Sequence, residues 1–583
     1  MRVAATRRPG RLLSASLRLL VPALLAGSGG AWAGTILVEA EAFAEHGGWV
    51  VDPQFTEVMG SPYLLAHGLG RPVANARTTV RVSERGRYHV WARTRDWVPS
   101  HHPGRFEVVV NGKALPRVLG AWGTGWGWER GGAVTLGAGR VRLELRDLTG
   151  FEARCDALLL TTEQRLNLPR KPGGAMMRWR RRLLGLPAAP PSTGSFEVVV
   201  VGGGVAGCSA ALTAGRLGLK VALVQDRPVL GGNASTEIGI HPQGLGGPIV
   251  DEVVTAPERR RAIEAEQGLS LFLGWGATGV RMDGDRIRSV EARHIERGEE
   301  IALEAPLFVD CTGDGWVGYW AGAEFRMGRE CRAEFGESLA PEQADGMTHG
   351  STLFFETRHA PQPVPFPPVP WATEVSGDHV DLHSDHTWEY GHFRDMIGEA
   401  EEIRDHLLRA IYGTFATAKQ QDPEQGPNLE LVRVDYIAAR GESRRLLGDH
   451  LLTQNDLQSG ELMPDTVALG SLVFCLHSPS PEYDFRNRIQ LVPVDPYPIP
   501  FRCLYSRNVA NLMMAGRDIS ATHVAFCSTK LMKTGGQMGR ATGAAAFLCR
   551  QHGTTPRGVG ERHIVELQDI LLGRGVYAGA LDP

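Results

Sequence analysis

The run Gly202-Gly203-Gly204-Val205-Ala206-Gly207 sets glycines at the first, third and sixth positions, a spacing suited to holding a pyrophosphate. Gly202 permits a tight turn, Gly204 lets a phosphate approach the backbone, and Gly207 lets the following helix pack close to the preceding strand. With Ala206 in its first turn, that helix offers unpaired N–H groups and a positive dipole end to the phosphates. Alone the spacing is a weak signal, but its neighbours make it strong. Phe196 to Val201 reads as a buried parallel strand, Ser209 to Gly218 as a small-residue helix, and Lys220 to Val224 as a second strand. Such a unit binds a dinucleotide. A carboxylate normally ends the second strand and holds the adenosine ribose; here Gln225 takes that place, its amide still able to bond a hydroxyl, with Asp226 as the fallback.

Arg227-Pro228-Val229-Leu230-Gly231-Gly232-Asn233-Ala234-Ser235 follows at once. A Gly-Gly-x-x-Ser segment at this place resembles flavoproteins of the fumarate-reductase and glutathione-reductase type. The resemblance implies FAD rather than NAD, with Arg227, Gly231, Gly232, Asn233 and Ser235 beside the pyrophosphate and flavin. Phe308 to Gly315, with Gly313 and Asp314 in its turn, resembles a later strand-turn of these domains. Asn511 to Asp518 resembles the C-terminal flavin strand, so Gly516 and Arg517 are expected at the flavin and Asp518 at the ribityl chain. Gly535-Gly536-Gln537-Met538-Gly539 is expected to open an Ala-rich helix, with Gly536 and Gln537 aimed at the flavin's developing negative charge.

From Phe196 to His552 the chain resembles bacterial FAD-dependent oxidoreductases related to heterodisulfide reductase A, including xanthan-lyase-like members that carry an N-terminal sandwich. The implied fold is α/β: a Rossmann-like FAD-binding domain with an inserted substrate cap, preceded by a β-sandwich of jelly-roll type. Some of the wider group carry iron–sulfur clusters. The eight cysteines here form no CxxC pair, so neither such a cluster nor a zinc ribbon has support.

Oxidation of an alcohol at a flavin needs hydride delivery to the ring and a base for the hydroxyl proton. His523, just past the flavin strand, is the first candidate base and His241 the second; a structural histidine is the commoner outcome. Arg440 to Arg445, with Arg444 inside it, suits carboxylates or sugar hydroxyls, and suits an ion-pair network at a domain seam equally well. Cys527, lacking a partner in sequence, reads as packing.

The elements that must position these groups occupy a chain too long for one core. Its net charge of -3 gives no bulk drive toward nucleic acid or an anionic membrane. Residues 1–33 read as an export signal: Arg2, Arg7, Arg8 and Arg11, the apolar run Leu17 to Ala26, then Ala31-Trp32-Ala33. The apolar run is short for a membrane span, so the mature chain is expected in the periplasm or outside the cell, Thr6-Arg7-Arg8 suggesting the twin-arginine route.

Residues 34–163 alternate in short runs broken by Gly, Pro and Asp, the pattern of a sandwich, with a hairpin turn at Asn111-Gly112. Glu39-Ala40-Glu41 and Asp156 resemble the acidic positions of a carbohydrate-binding module family, which implies a structural calcium on Glu39, Glu41 and Asp156; solvated strand-end carboxylates are the alternative. Trp97, Trp122, Trp126 and Trp128 suit sugar stacking, although packing at a sandwich edge is favoured.

Residues 164–195 read as a linker with a short helix near Met176 to Leu186, 196–331 and 501–583 as the FAD-binding domain, and 332–500 as the cap, with a helix at Glu399 to Phe415 and a strand at Glu430 to Ile437. The expected activity is hydride transfer to FAD from a small polar substrate, a carbohydrate being one candidate, with an unknown electron acceptor. The rivals are an electron-transfer subunit resembling heterodisulfide reductase A and a carbohydrate-binding surface protein with structural FAD.

Overall fold

The computed structural model describes residues 34–164, 167–169 and 173–581, so the expected export signal lies outside the described residues. Among those residues no helix is long and apolar enough to cross a membrane.

The N-terminal third is a β-sandwich. One sheet orders Thr35–Glu39, Ala157–Thr161, Gly86–Thr94 and Gly127–Leu136; the other orders Ala76–Val82, Gly139–Asp147, Phe106–Val110 and Lys113–Ala114. Tyr88, Val90 and Ala92 from the first face Phe106, Val108, Leu143 and Leu145 from the second, as period-two alternation requires, and the alternate residues His89 and Arg93 are covered as well. Asn111 and Gly112 both sit at positive φ, 49° and 83°, and join Val110 to its partner Lys113, as the hairpin signal implied. A smaller sheet of Phe151–Cys155, Tyr63–His67 and Val50–Asp52 leaves the sandwich toward the rest of the chain.

The dinucleotide domain is built on five parallel strands in the order Leu269–Leu273, Val221–Gln225, Val198–Val201, Phe308–Asp310 and Leu512–Met514. Val198–Val201 is central and wholly buried, which is why it reads as unbroken valine. The helix Val205–Arg216 crosses to the second strand, and the helix Met532–His552 lies against it. This contact explains the small residues of both. A Cβ on Gly539 would stand 2.0 Å from the Ala206 carbonyl, and one on Gly543 2.4 Å from that of Ala210. The helix Met532–His552 begins before its glycines; they let two helices touch and do not mark a start.

A second sheet pairs Glu300–Glu304, Arg286–His294 and Trp275–Asp283, and the segment Ser192–Ser195 joins its edge in parallel. The expected linker thus carries this strand and a helix, Gly174–Leu183.

In the cap, Ala400–Gln421 is a helix six residues longer at its C-terminal end than the sequence pattern indicated, and the strand Leu429–Val434 ends three residues sooner. The cap core of Trp371, Leu407, Ile411 and Phe415 also takes in Trp97, Val98 and Phe151 of the sandwich. Trp97 meets Trp371 edge-on at 5.1 Å, Trp126 donates to Glu401 at 2.7 Å, and Trp128 packs on Trp179 of the linker helix. These three are packing tryptophans; Trp122 is 65% exposed.

Candidate functional site

The glycine loop turns where the central strand ends. Gly202 sits at φ 103°, and a Cβ there would come 2.2 Å from the Cys311 carbonyl; one on Gly207 would come 1.8 Å from that of Gly202. Both positions exclude a side chain by backbone contact. Gly204 differs: a Cβ would meet just Gly232 Cα, at 3.9 Å. Its bare face opens into a cleft, across from Gly231 and Gly232. Gly231, at φ 127°, donates its N–H to Gly203 at 2.7 Å and so holds the second glycine segment beside the first. A concave surface without side chains at the start of a helix fits a pyrophosphate.

The remaining walls come from distant parts of the chain. Asp226, Trp275 and Ala277 line one end. Gly313, Asp314, Gly516 and Arg517 line the far side, where Asp314 takes Arg440 at 2.8 Å, Ser443 at 2.7 Å and Arg517 at 3.5 Å. Burial would raise the Asp314 carboxyl, but Arg440 and Arg517 override it and hold it below the usual range. Arg227, Asn233 and Ala206 also face the cleft; Arg227 is tied to Glu237 at 2.9 Å and Asn233 to the Arg440 carbonyl at 3.1 Å.

Other expected site residues stand elsewhere. Gln225 reaches the cleft edge, yet its amide accepts from Gly203 N–H at 2.6 Å and donates to Asp226 at 2.8 Å. Ser235 is buried under Arg227. Asp518 is wholly enclosed against Asp310, and burial and that neighbour raise its carboxyl well above the usual range. Gly536 packs on Val250 and Ser209, and Gln537 donates to the Gly246 carbonyl at 2.6 Å, both behind the wall that Met532 and Gly535 form. His241 is exposed and away from the cleft. Arg444 lies in a cage of Trp316, Tyr319 and Phe325, 3.8 Å from the tyrosine ring centre, and donates to the Asp314 carbonyl.

Lys530 also lines the cleft, and its ammonium opens onto a buried cluster. Its Nζ lies 2.7 Å from His349 Nδ1, 3.4 Å from His477 Nε2 and 3.1 Å from the Cys475 carbonyl. The two imidazoles stack at 4.2 Å. Behind them Cys527 Sγ is 3.3 Å from His349 Nε2 and 3.8 Å from His523 Nε2, and His523 Nδ1 is 2.8 Å from Glu442. The two ends differ electrostatically. Burial, with Lys530 adding to it, pushes His349 well below 6.5, so it is neutral. Burial would also lower His523, but Glu442 and then Cys527 override it and lift it to about 10. An imidazolium already protonated and paired is a poor base, which corrects the expectation for His523.

At the N-terminal module the three acidic residues do meet, but around arginines. Arg180 of the linker helix donates to Glu39 at 3.0 Å through Nε and to Asp156 at 2.9 Å through Nη1; Arg93 reaches Asp156 at 2.7 Å and Arg293 reaches Glu41 at 3.1 Å. Three guanidiniums reach the three carboxylates, while Glu41 Oε2 is buried without a hydrogen-bond partner and burial, with Glu39 beside it, pushes that carboxyl up to about 8.

A parallel sheet ending in a glycine cradle, with a cleft running on to a polar cluster, defines a flavin-type oxidoreductase. The chain belongs to the FAD dependent oxidoreductase family, whose model matches residues 197–256 and 247–571. It is similar to the tRNA uridine 5-carboxymethylaminomethyl modification enzyme MnmG of Prochlorococcus marinus, 36% identical over 129 residues that span 20% of this chain and 19% of that enzyme. Among solved structures it is similar to a geranylgeranyl bacteriochlorophyll reductase-like protein of Thermoplasma acidophilum (12% identity, 65% of this chain and 83% of that one, TM-score 0.32). Its N-terminal part is similar to a family 35 carbohydrate binding module of Clostridium thermocellum (17% identity, 22% of this chain and 100% of that one, TM-score 0.19). The protein is an FAD-dependent oxidoreductase.

Proposed function

We propose that the protein oxidises a hydroxyl group of a small polar substrate, and that Lys530 and His349 carry the proton. The observation that supports this reading is that Lys530 lines the cleft while its ammonium lies 2.7 Å from an imidazole held neutral. Gly204, Gly231 and Gly232, with the N–H groups that open the helix Val205–Arg216, would hold the pyrophosphate of FAD. FAD, when bound, supplies the acceptor for a hydride. The chain's own groups handle the rest. Lys530 first passes a proton to His349 Nδ1, and the amine so formed accepts a hydrogen bond from the substrate hydroxyl and takes its proton. Glu389 accepts from His477 at 2.6 Å and fixes that ring under His349. The paired His523 and Glu442 seal the cluster from behind.

A sandwich of sugar-binding type makes carbohydrates the first substrate class to try, an association rather than a chemical argument. Export through residues 1–33 belongs to the same proposal and is checked by the N-terminal sequence of the secreted protein.

Lys530→Met tests the relay. Turnover is expected to fall about 10²–10⁴-fold with bound flavin unchanged. Wild-type turnover in the flavin-loaded variant overturns it. Because His349 acts as the neutral form, the acid limb of the wild-type rate profile is expected well below pH 6.5.

A further inference from the structure

The cleft has a roof that does not come from the family-matched region. After Val50–Asp52 the sandwich sends out Pro53-Gln54-Phe55 and a single helical turn, Thr56–Met59, and Gln54 and Glu57 face the cleft. Gln54 is bound from every side: its Oε1 accepts from Ala438 N–H at 2.7 Å, its Nε2 donates to the Tyr436 carbonyl at 2.8 Å, and its own carbonyl accepts from Arg440 at 2.6 Å. Arg440 in turn holds Asp314 on the opposite wall, so one arginine bridges the cleft from sandwich to flavin domain.

The turn that carries Glu57 packs against the strand Trp275–Asp283, and Glu57 lines the cleft with Asp226, Trp275 and Ala277. In a dinucleotide fold the end past the second strand receives the adenosine ribose. Gln225, which occupies the usual ribose-binding position, has its amide taken up by Gly203 and Asp226. Glu57 forms no ion pair among the described residues; the nearby Arg440 is paired with Asp314. A half-buried carboxyl without an ion-pair partner, pushed up to about 8 by burial, thus lines the cleft together with Asp226, beside a Gln225 whose amide is already engaged.

The sandwich is also fastened in this position. Arg154 pairs with Glu401 at 2.6 Å and with Asp405 at 2.6 Å, Arg95 with Glu401 at 2.6 Å, and Arg404 of the cap with Asp52 at 2.9 Å. Asp52 lies two residues before Gln54, so the clamp sits directly under the roof.

We propose that the N-terminal sandwich is part of the cofactor site: Glu57 binds a ribose hydroxyl of the adenosine half of FAD, and Gln54 with Arg440 closes the cleft over it. This rests on reading the cleft as the FAD site. FAD then leaves when the roof lifts, and the sandwich governs cofactor retention whatever sugar it binds.

The test is the rate of FAD release from full-length holoenzyme, read as recovery of free-flavin fluorescence after dilution, for Glu57→Ala, Glu57→Gln and Gln54→Ala. Each is expected to release FAD about tenfold faster, the loss of one hydrogen bond, with Glu57→Gln the mildest. The unfolding midpoint of the two Glu57 apoproteins should stay at the wild-type value, which separates cofactor loss from misfolding; that of Gln54→Ala falls, because the Ala438 N–H and the Tyr436 carbonyl lose their partner. Gly204→Val serves as the reference, since its side chain fits the backbone yet fills the cradle. If Gly204→Val loses FAD while the Glu57 and Gln54 variants release it at the wild-type rate, the proposal is overturned and the cleft reading survives. If Gly204→Val keeps FAD, both fall.

Discussion

Two imidazoles in one buried cluster carry opposite charge states, and the reason lies in what each touches. Burial, with the Lys530 ammonium adding to it, drives His349 neutral; burial would lower His523 too, but the Glu442 carboxylate overrides it and lifts it to about 10. The sign of the stability effect follows. A folded value above the unfolded 6.5 means that proton binding stabilises the native state fully below pH 6.5 and is lost as pH rises through about 10. Glu442, held below 4.5, contributes above that pH and ceases to on acidification. The urea midpoint of the wild type, relative to His523→Gln, is therefore expected to fall between pH 6.5 and 10. Parallel profiles for the two proteins over that window show that the pair is not charged. The motif Ala-Thr-His drew attention to His523, but its chemistry depends on Glu442 and, through Cys527, on His349, far away in sequence. Neither position carries a local pattern. The glycine cradle was legible because its spacing follows from backbone sterics within a single turn.

At the scale of elements, the linker helix behaves as a plug. Arg180 enters the sandwich between Glu39 and Asp156 and is itself fully buried. Burial would raise the Asp156 carboxyl; Arg180 and Arg93 override this and hold it at about 2. Arg180→Met leaves carboxylates buried with too few cations and is expected to cost about 3–5 kcal/mol in chemical denaturation. A chelator is expected to leave the wild-type midpoint unchanged; a fall on chelation shows that a metal shares the site. The acidic positions were legible from the sequence. Their counter-charges were not, because Arg180 lies in a stretch whose prolines and arginines look solvated. The helix Met532–His552 teaches the same lesson: its glycines signal contact with Ala206 and Ala210, which is known only once the two helices are side by side.

At the scale of the molecule, composition divides the chain into modules and contacts reunite them. Trp97 and Phe151 complete the cap core, and Arg154, Arg404, Glu401, Asp405 and Asp52 form one buried charge network across the seam. Sandwich and oxidoreductase are expected to unfold in a single calorimetric transition, which Arg154→Leu splits or lowers; two separate transitions in the wild type show independent modules. Apart from the adjacent Arg404 and Asp405, none of these pairings is visible locally, since each joins residues hundreds of positions apart. The most direct test of flavin oxidation through the Lys530 relay is anaerobic stopped-flow absorbance of the holoenzyme mixed with a panel of sugars and polar alcohols. Bleaching of the oxidised flavin by at least one of them, slowed about a hundredfold or more in Lys530→Met, is the expected result. Contradiction would be bleaching at equal rates in both proteins, or a flavin that no member of the panel bleaches and a partner protein readily does.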